Sequence, residues 1–297
     1  SKPLAFLGKV VCFDKGGSHD RTKIFKEYKA NRDETPEAIK IAVPYIEKIL
    51  KSLNIATVVK EGYEADDIIG TIAKKAKQKN LKTYMVTPDK DFAQLVEKDI
   101  YMYRPVFGGG YETWGIDEVL KKFEINKTSQ VVDFLAMKGD SVDNIPGLPG
   151  VGDKTAKKFI SEFGSLEGLF ENTDQLKGKI KEKVEQNKEL GILSKKLATI
   201  ITDVPLNFKI EDFKLSVHEL EETKNLFDDL EFRRLSNSLN SIFSTSKENI
   251  EKKIDSKNNG QFDLFANTER ETISKKNNLI IQKVLDGISY KLFEKIM

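Results

Sequence analysis

The sequence predicts an α/β fold, with a mostly parallel sheet flanked by helices and then a helical half, and three observations carry that prediction. Short β-branched apolar runs recur at "VVCFD", "IATVV", "TYMVTPD" and "IYMYRP". Helical periodicity fills most of the intervals between them, and beyond about residue 116 the strand-like runs cease. The 297 residues, 39% hydrophobic and 32% charged, suffice for a sizeable core in a soluble globular chain.

Element by element, Thr35 reads as an N-cap with Pro36 at the first helical position, followed by the stripe Ile39, Val43, Ile46, Leu50 and Leu53. Pro44 predicts a kink in that helix. "FGGGYETWG", residues 107 to 115, is a glycine-rich turn running into a short extended segment. Helices then follow at "IDEVLKKF", "TSQVVDFLAMKG", "DKTAKKFISEFG", "LEGLF", "ELGILSKKLATI" and "ELEETKNLFDDLEFRRL". This gives a core over 1–235, α/β in 1–115 and helical in 116–235. A Ser-, Asn-, Lys- and Glu-rich stretch over 236–297 is predicted to be a disordered linker and tail.

Composition excludes several classes. A net charge of +2 supplies no whole-molecule field, so attraction to phosphate must come from local patches. One cysteine, Cys12, permits no internal disulfide, and no apolar run has the length of a membrane span. Both point to a cytoplasmic chain. His19 and His218 are far apart in sequence and have no cysteine partner, which argues against a zinc site or a histidine-based triad.

Acidic residues recur where strands end. Asp14 closes "VVCFD"; Glu64, Asp66 and Asp67 follow "IATVVKEGY"; Asp89 and Asp91 follow "TYMVTP"; Asp140 and Asp143 lie in "KGDSVDN". The carboxyl ends of strands form the ligand crevice of an open α/β sheet, so these side chains are placed to converge. Two carboxylates about 4 Å apart repel by roughly 4 kcal/mol at an effective dielectric near 20, so a convergent set calls for protons or cations. An all-oxygen set favours Mg²⁺ or Mn²⁺, and two ions about 4 Å apart suit in-line attack on a phosphodiester. Taken singly, each acid also fits the first turn of a helix, where it complements the macrodipole.

"RTKIFKEYKANR" sets Arg21, Lys23, Lys26, Lys29 and Arg32 among Phe25 and Tyr28, a pattern for phosphate contact and base stacking or for a solvated amphipathic helix. "IPGLPGVGDKTAKKF" places Gly147, Gly150 and Gly152 before a helix carrying Lys154, Lys157 and Lys158. Such a loop aims backbone N–H groups at an anion, although a turn between two helices needs no ligand. Asp153 between the last glycine and the lysine departs from a P-loop and counts against an ATPase.

"EYKANRDETPE", "GYEADDIIG", "VTPDKDFAQL", "MKGDSVDNIPGLPGVGDKTA" and "LEFRRL" together resemble the 5′-nuclease domain of the flap endonuclease family, found at the N-terminus of bacterial DNA polymerase I. The resemblance implies a PIN-like fold with a helix-hairpin-helix region. It implies that Asp14, Glu64 and Asp66 serve one metal position and Asp89, Asp91, Asp140 and Asp143 the other, with Asp66 between them and Asp67 close by. Lys29 and Arg32 then grip the scissile phosphate, with Tyr28 beside them at the base of an arch through which the 5′ strand passes, and Arg21 joins the DNA-binding set. The glycine loop, with Lys154, Thr155 and Lys158, grips the duplex backbone through a monovalent cation, K⁺.

The implied activity is a metal-dependent 5′-3′ exonuclease and flap endonuclease, a monomer of the bacterial nucleoid acting on DNA with 5′ flaps, nicks or RNA primers in replication and repair. Family members open with a strand ending in an aspartate ligand, which nothing here matches, so the chain reads as an N-terminally truncated fragment of a polymerase I. A branched-DNA-binding module that does not cut is the alternative. In the tail, "QFDLF" resembles the peptide that docks on the DNA sliding clamp, with Gln261, Leu264 and Phe265 as anchors, or is a chance match.

Overall fold

The computed structural model describes residues 8–106, 109–214 and 221–239. In chain order the elements are β1 (Val10–Phe13), α1 (His19–Ile24), α2 (Glu37–Ser52), β2 (Ala56–Val59), α3 (Ala65–Gln78), β3 (Thr83–Val86), β4 (Ile100–Pro105), β5 (Tyr111–Trp114), α4 (Ile116–Phe123), α5 (Gln130–Lys138), α6 (Asp153–Phe163), α7 (Leu166–Glu171), α8 (Gly178–Gln186), α9 (Lys188–Ala198) and α10 (Glu221–Asp229). They fall into two compact units, Ser1–Glu34 with Ala56–Lys214 and Thr35–Ile55 with Leu215–Met297.

In the first unit β1 pairs in parallel with β2, Phe13 opposite Val59, so both strands deliver the chain to the same end. A second sheet has the order β3-β4-β5, with β3 and β4 parallel and β5 antiparallel. Helix α3 packs on both sheets because its sequence is apolar on two faces. Ile68, Ile72 and Ala76, spaced four apart, enter a cluster with Val10, Cys12, Ala56 and Val58. Ala73 and Ile69 belong to the larger core, which runs from Met85, Ile100 and Met102 of the second sheet to Phe134, Ile160 and Leu197 of the helical half. Burying a side chain such as Ile68, 0% exposed, stabilises by about 1.5–3 kcal/mol. The first turn of α3 is thereby anchored where the strands end.

The second unit joins α2 to α10 through Ile49 and Phe227. Thr223 Oγ1 donates to the Ser52 carbonyl at 3.0 Å. One detail of α2 differs from the sequence expectation: Pro36, extended at ψ 143°, is the N-cap rather than the first helical residue. Pro44 lies inside the helix. Helix α8 was not anticipated, because "GKIKEKVEQ" has only Ile180 and Val184 as apolar positions. The predicted tail begins too early: Ser236 and Leu239 are buried, Leu239 in the cluster of Ile49 and Phe227, and the rest of it, residues 240–297 with the "QFDLF" peptide, lies outside the described residues.

Candidate active site

Each acid owes its place to a helix cap or a tight turn. Asp14 follows β1, and its Oδ1 accepts the Ala65 N–H at 2.6 Å, which ties the end of β1 to the first turn of α3. Glu64 is the N-cap of α3, with Asp66 and Asp67 in that first turn, where the exposed helix N–H groups favour negative charge. Asp89 caps the 3₁₀ segment Lys90–Leu95 by accepting the Asp91 N–H at 2.9 Å. Asp140 and Ile145 exchange backbone hydrogen bonds at 2.9 and 2.7 Å, closing a turn that carries Asp143.

The four segments act on one another. Burial pushes the Asp66 carboxyl up to about 7; Lys29 opposes the rise, while Asp89, Glu64 and Asp14 add to it. Burial also pushes Asp91 up to about 7, assisted by Asp89, Asp140 and Asp143 and opposed by Lys90. Asp89 thus bears on both, and the acids share one field. Positive groups line it. Lys29 Nζ lies 2.9 Å from Glu64 Oε2 and 3.5 Å from Asp143 Oδ2, Arg32 pairs with Asp143, and Lys90 Nζ is 4.0 Å from Asp140 Oδ2. Lys29 is held there by its own backbone, in the left-handed region at φ 56° with its N–H on the Asp143 carbonyl at 3.0 Å.

The donor chemistry suits a hard cation. All of these groups are oxygens, and Asp91 Oδ1 is buried without a hydrogen-bond partner, a costly state that a cation relieves. Among the described residues, no three His, Cys, Asp or Glu side chains are already drawn together as a metal cage.

Four of the sequence assignments need correction. Asp67 is 0% exposed and both its oxygens are engaged, by Arg21 Nη1 and Nη2 at 2.8 Å and by the N–H groups of Glu64 and Ile201, so it anchors the site rather than offering a ligand. Arg21 is buried against it and not free for DNA. Tyr28 is buried too, its hydroxyl donating to Glu64 Oε2 at 3.1 Å, which removes it as a stacking platform. Gly147 is buried and its N–H donates to Ser194 Oγ at 2.9 Å, so it aims no donor outward. Gly150, Gly152, Lys154 and Lys158 are exposed and Thr155 is half-buried, leaving that face of α6 open to an anion. Lys157 is tied to Glu124 and Asp153.

Sequence reasoning missed two contributors. Lys183 of α8 stands over the glycine loop, with its Nζ 3.0 Å from where a Cβ on Gly150 would lie; its signal was the four-residue spacing of Lys179 and Lys183. Gln94 links the Asp91 turn to the end of α9; it lies within "VTPDKDFAQL", but its partner Ala198 is 104 positions away, beyond the reach of local pattern.

Two family models cover most of the chain: the 5′-3′ exonuclease N-terminal resolvase-like domain over residues 7–124 and the 5′-3′ exonuclease C-terminal SAM fold over 126–221. A 5′-3′ exonuclease of Aquifex aeolicus is 34% identical over 239 residues, 80% of either chain. A DNA polymerase I of Caldicellulosiruptor bescii is 38% identical over 229 residues, which make up 76% of this chain and 27% of that protein. The T5 D15 protein, co-crystallised with metal ions, superposes with a TM-score of 0.55 at 25% identity, covering 65% of this chain and 76% of its own.

Proposed function

The chain belongs to the 5′-3′ exonuclease family, and from that premise we propose that it cleaves phosphodiester bonds near the 5′ ends of nicked, flapped or RNA-primed DNA. The observation that carries this reading is the shared field of Asp14, Glu64, Asp66, Asp89, Asp91, Asp140 and Asp143, with Lys29 and Arg32 among them. Asp14, Glu64 and Asp66 would hold one Mg²⁺ or Mn²⁺, and Asp89, Asp91, Asp140 and Asp143 would hold a second. Bound there, the two ions would supply activation of a water and charge neutralisation at the leaving oxygen. Lys29 exchanges its carboxylate partners for the scissile phosphate, and Arg32 steadies the same group as a planar donor. The open face of α6 takes the duplex backbone, with K⁺ at the glycine loop. Work as a monomer in replication and repair within a polymerase I, and docking on a sliding clamp through Gln261, Leu264 and Phe265, belong to the same proposal.

Incubation with Mg²⁺ and a 5′-labelled flap tests it. The chain is expected to release short 5′ products, and Asp91→Asn to slow release by at least a hundredfold. Equal rates in the two proteins would reject the role of the acids. The lack of a ready-made cage among the described residues favours a second reading, a branched-DNA-binding module that does not cut. Tight flap binding in Ca²⁺ with no turnover in Mn²⁺ would select it.

A further inference from the structure

Helix α9 ends against both halves of the acidic pocket. The last carbonyls of a helix have no partner within it, and here side chains from distant segments take them. Arg21 Nε donates to the Leu197 carbonyl at 3.1 Å and Arg21 Nη2 to that of Thr199 at 2.7 Å. Gln94 Nε2 donates to the Ala198 carbonyl at 3.0 Å, and Gln94 Oε1 accepts the Ile200 N–H at 3.0 Å. The chain is extended at Thr199, with φ −75° and ψ 124°, so alternate residues turn their polar groups to opposite edges. The strap lies close on α3, where a Cβ at Gly70 would be 3.0 Å from Ile200 Cγ2.

Both clamps lead back to the carboxylates. Arg21 holds Asp67 with two hydrogen bonds at 2.8 Å, in the same helical turn as Glu64 and Asp66, and Asp67 Oδ1 also accepts the Ile201 N–H at 2.8 Å. Gln94 Nε2 donates to the Asp91 carbonyl at 3.0 Å as well as to Ala198. One short strap is therefore gripped on one edge by the α3 acids and on the other by the turn that carries Asp89 and Asp91. We propose that Gln94 is a positioning residue: acting through residues 198–200, it fixes the Asp91 turn relative to Glu64 and Asp66 and so sets the spacing of the two metal positions. The inference rests on the reading of these acids as ligands. Spacing matters because Mg²⁺ tolerates little departure from about 2.0–2.1 Å octahedral contacts.

Titration of the full chain with Mn²⁺ alone, followed by calorimetry, tests the assignment. Gln94→Ala removes the amide; Gln94→Met removes its three hydrogen bonds but keeps the side-chain volume, so a folded variant is at hand if alanine is too disruptive. Each is expected to bind at least one Mn²⁺ about tenfold more weakly. Gln130→Met is the control: the Gln130 amide accepts the Asn126 and Lys127 N–H groups at 2.8 and 2.9 Å and donates to the Gly164 carbonyl at 2.7 Å, a comparable node at the start of α5. Its loss lowers stability without changing Mn²⁺ affinity. Wild-type affinity in the Gln94 variants overturns the proposal, as does an equal weakening in Gln130→Met. A flat titration of the wild-type chain overturns the metal reading itself and is thereby told apart.

Discussion

With 4% of its surface exposed, Arg21 makes five hydrogen bonds: two to Asp67, one to Glu64 and one each to the carbonyls of Leu197 and Thr199. A guanidinium has five N–H donors in a fixed fork, and this geometry uses the set. Removing one partner of a buried pair strands the other charge, so Arg21→Met is expected to lower unfolding free energy by about 3–5 kcal/mol, read from urea denaturation. An unchanged urea midpoint would contradict this. In sequence, Arg21 looks like one more basic residue facing phosphate, because Asp67 is 46 positions away and burial is not written in the local pattern. Lys29 is the converse case: its charge was legible, but its place between Glu64 and Asp143 depends on the turn that brings Asp143 to it.

Helix α3 shows what one element can carry. Ile68, Ile72 and Ala76 on one face and Ile69 and Ala73 on another hold its acidic first turn at the strand ends. The junction between α5 and the glycine loop is set by backbone contact instead. Gly139 has φ +75°, and a Cβ there would meet the Ile145 carbonyl oxygen at 2.6 Å. Gly139→Ala, which at a compatible position would stabilise by up to about 1 kcal/mol, is here expected to destabilise by more than that and to lower the melting temperature by several degrees, measurable by calorimetry. Helix α8 brings Lys183 to the same loop. If that ammonium contacts phosphate, Lys183→Ala should reduce the salt slope of duplex binding by about 0.9, while a lysine on another face leaves the slope unchanged.

At the scale of the whole molecule, the acidic pocket couples stability to pH and to cations. Asp66 and Asp91 titrate near 7 in the folded chain against a reference of 3.8, so the folded form retains protons that the unfolded form has lost. Stability from these groups is full below about pH 4 and is lost as pH rises through about 7 in the absence of divalent ions. Mn²⁺ must displace those protons, so its stabilising effect grows with pH. Thermal unfolding with Mn²⁺ and with EDTA is expected to show a small gap at about pH 5 that widens by about pH 8; a constant gap would refute the linkage. The sequence by itself determined the α/β class, the strand ends that bear the acids and the glycine loop, because periodicity, caps and turn residues act over a few positions. Only the tertiary structure decided which acids remain open, which of Arg21, Tyr28 and Lys29 faces the pocket, and where the end of α9 is clamped. Those outcomes depend on burial and on partners tens to more than a hundred residues apart, which no local pattern encodes.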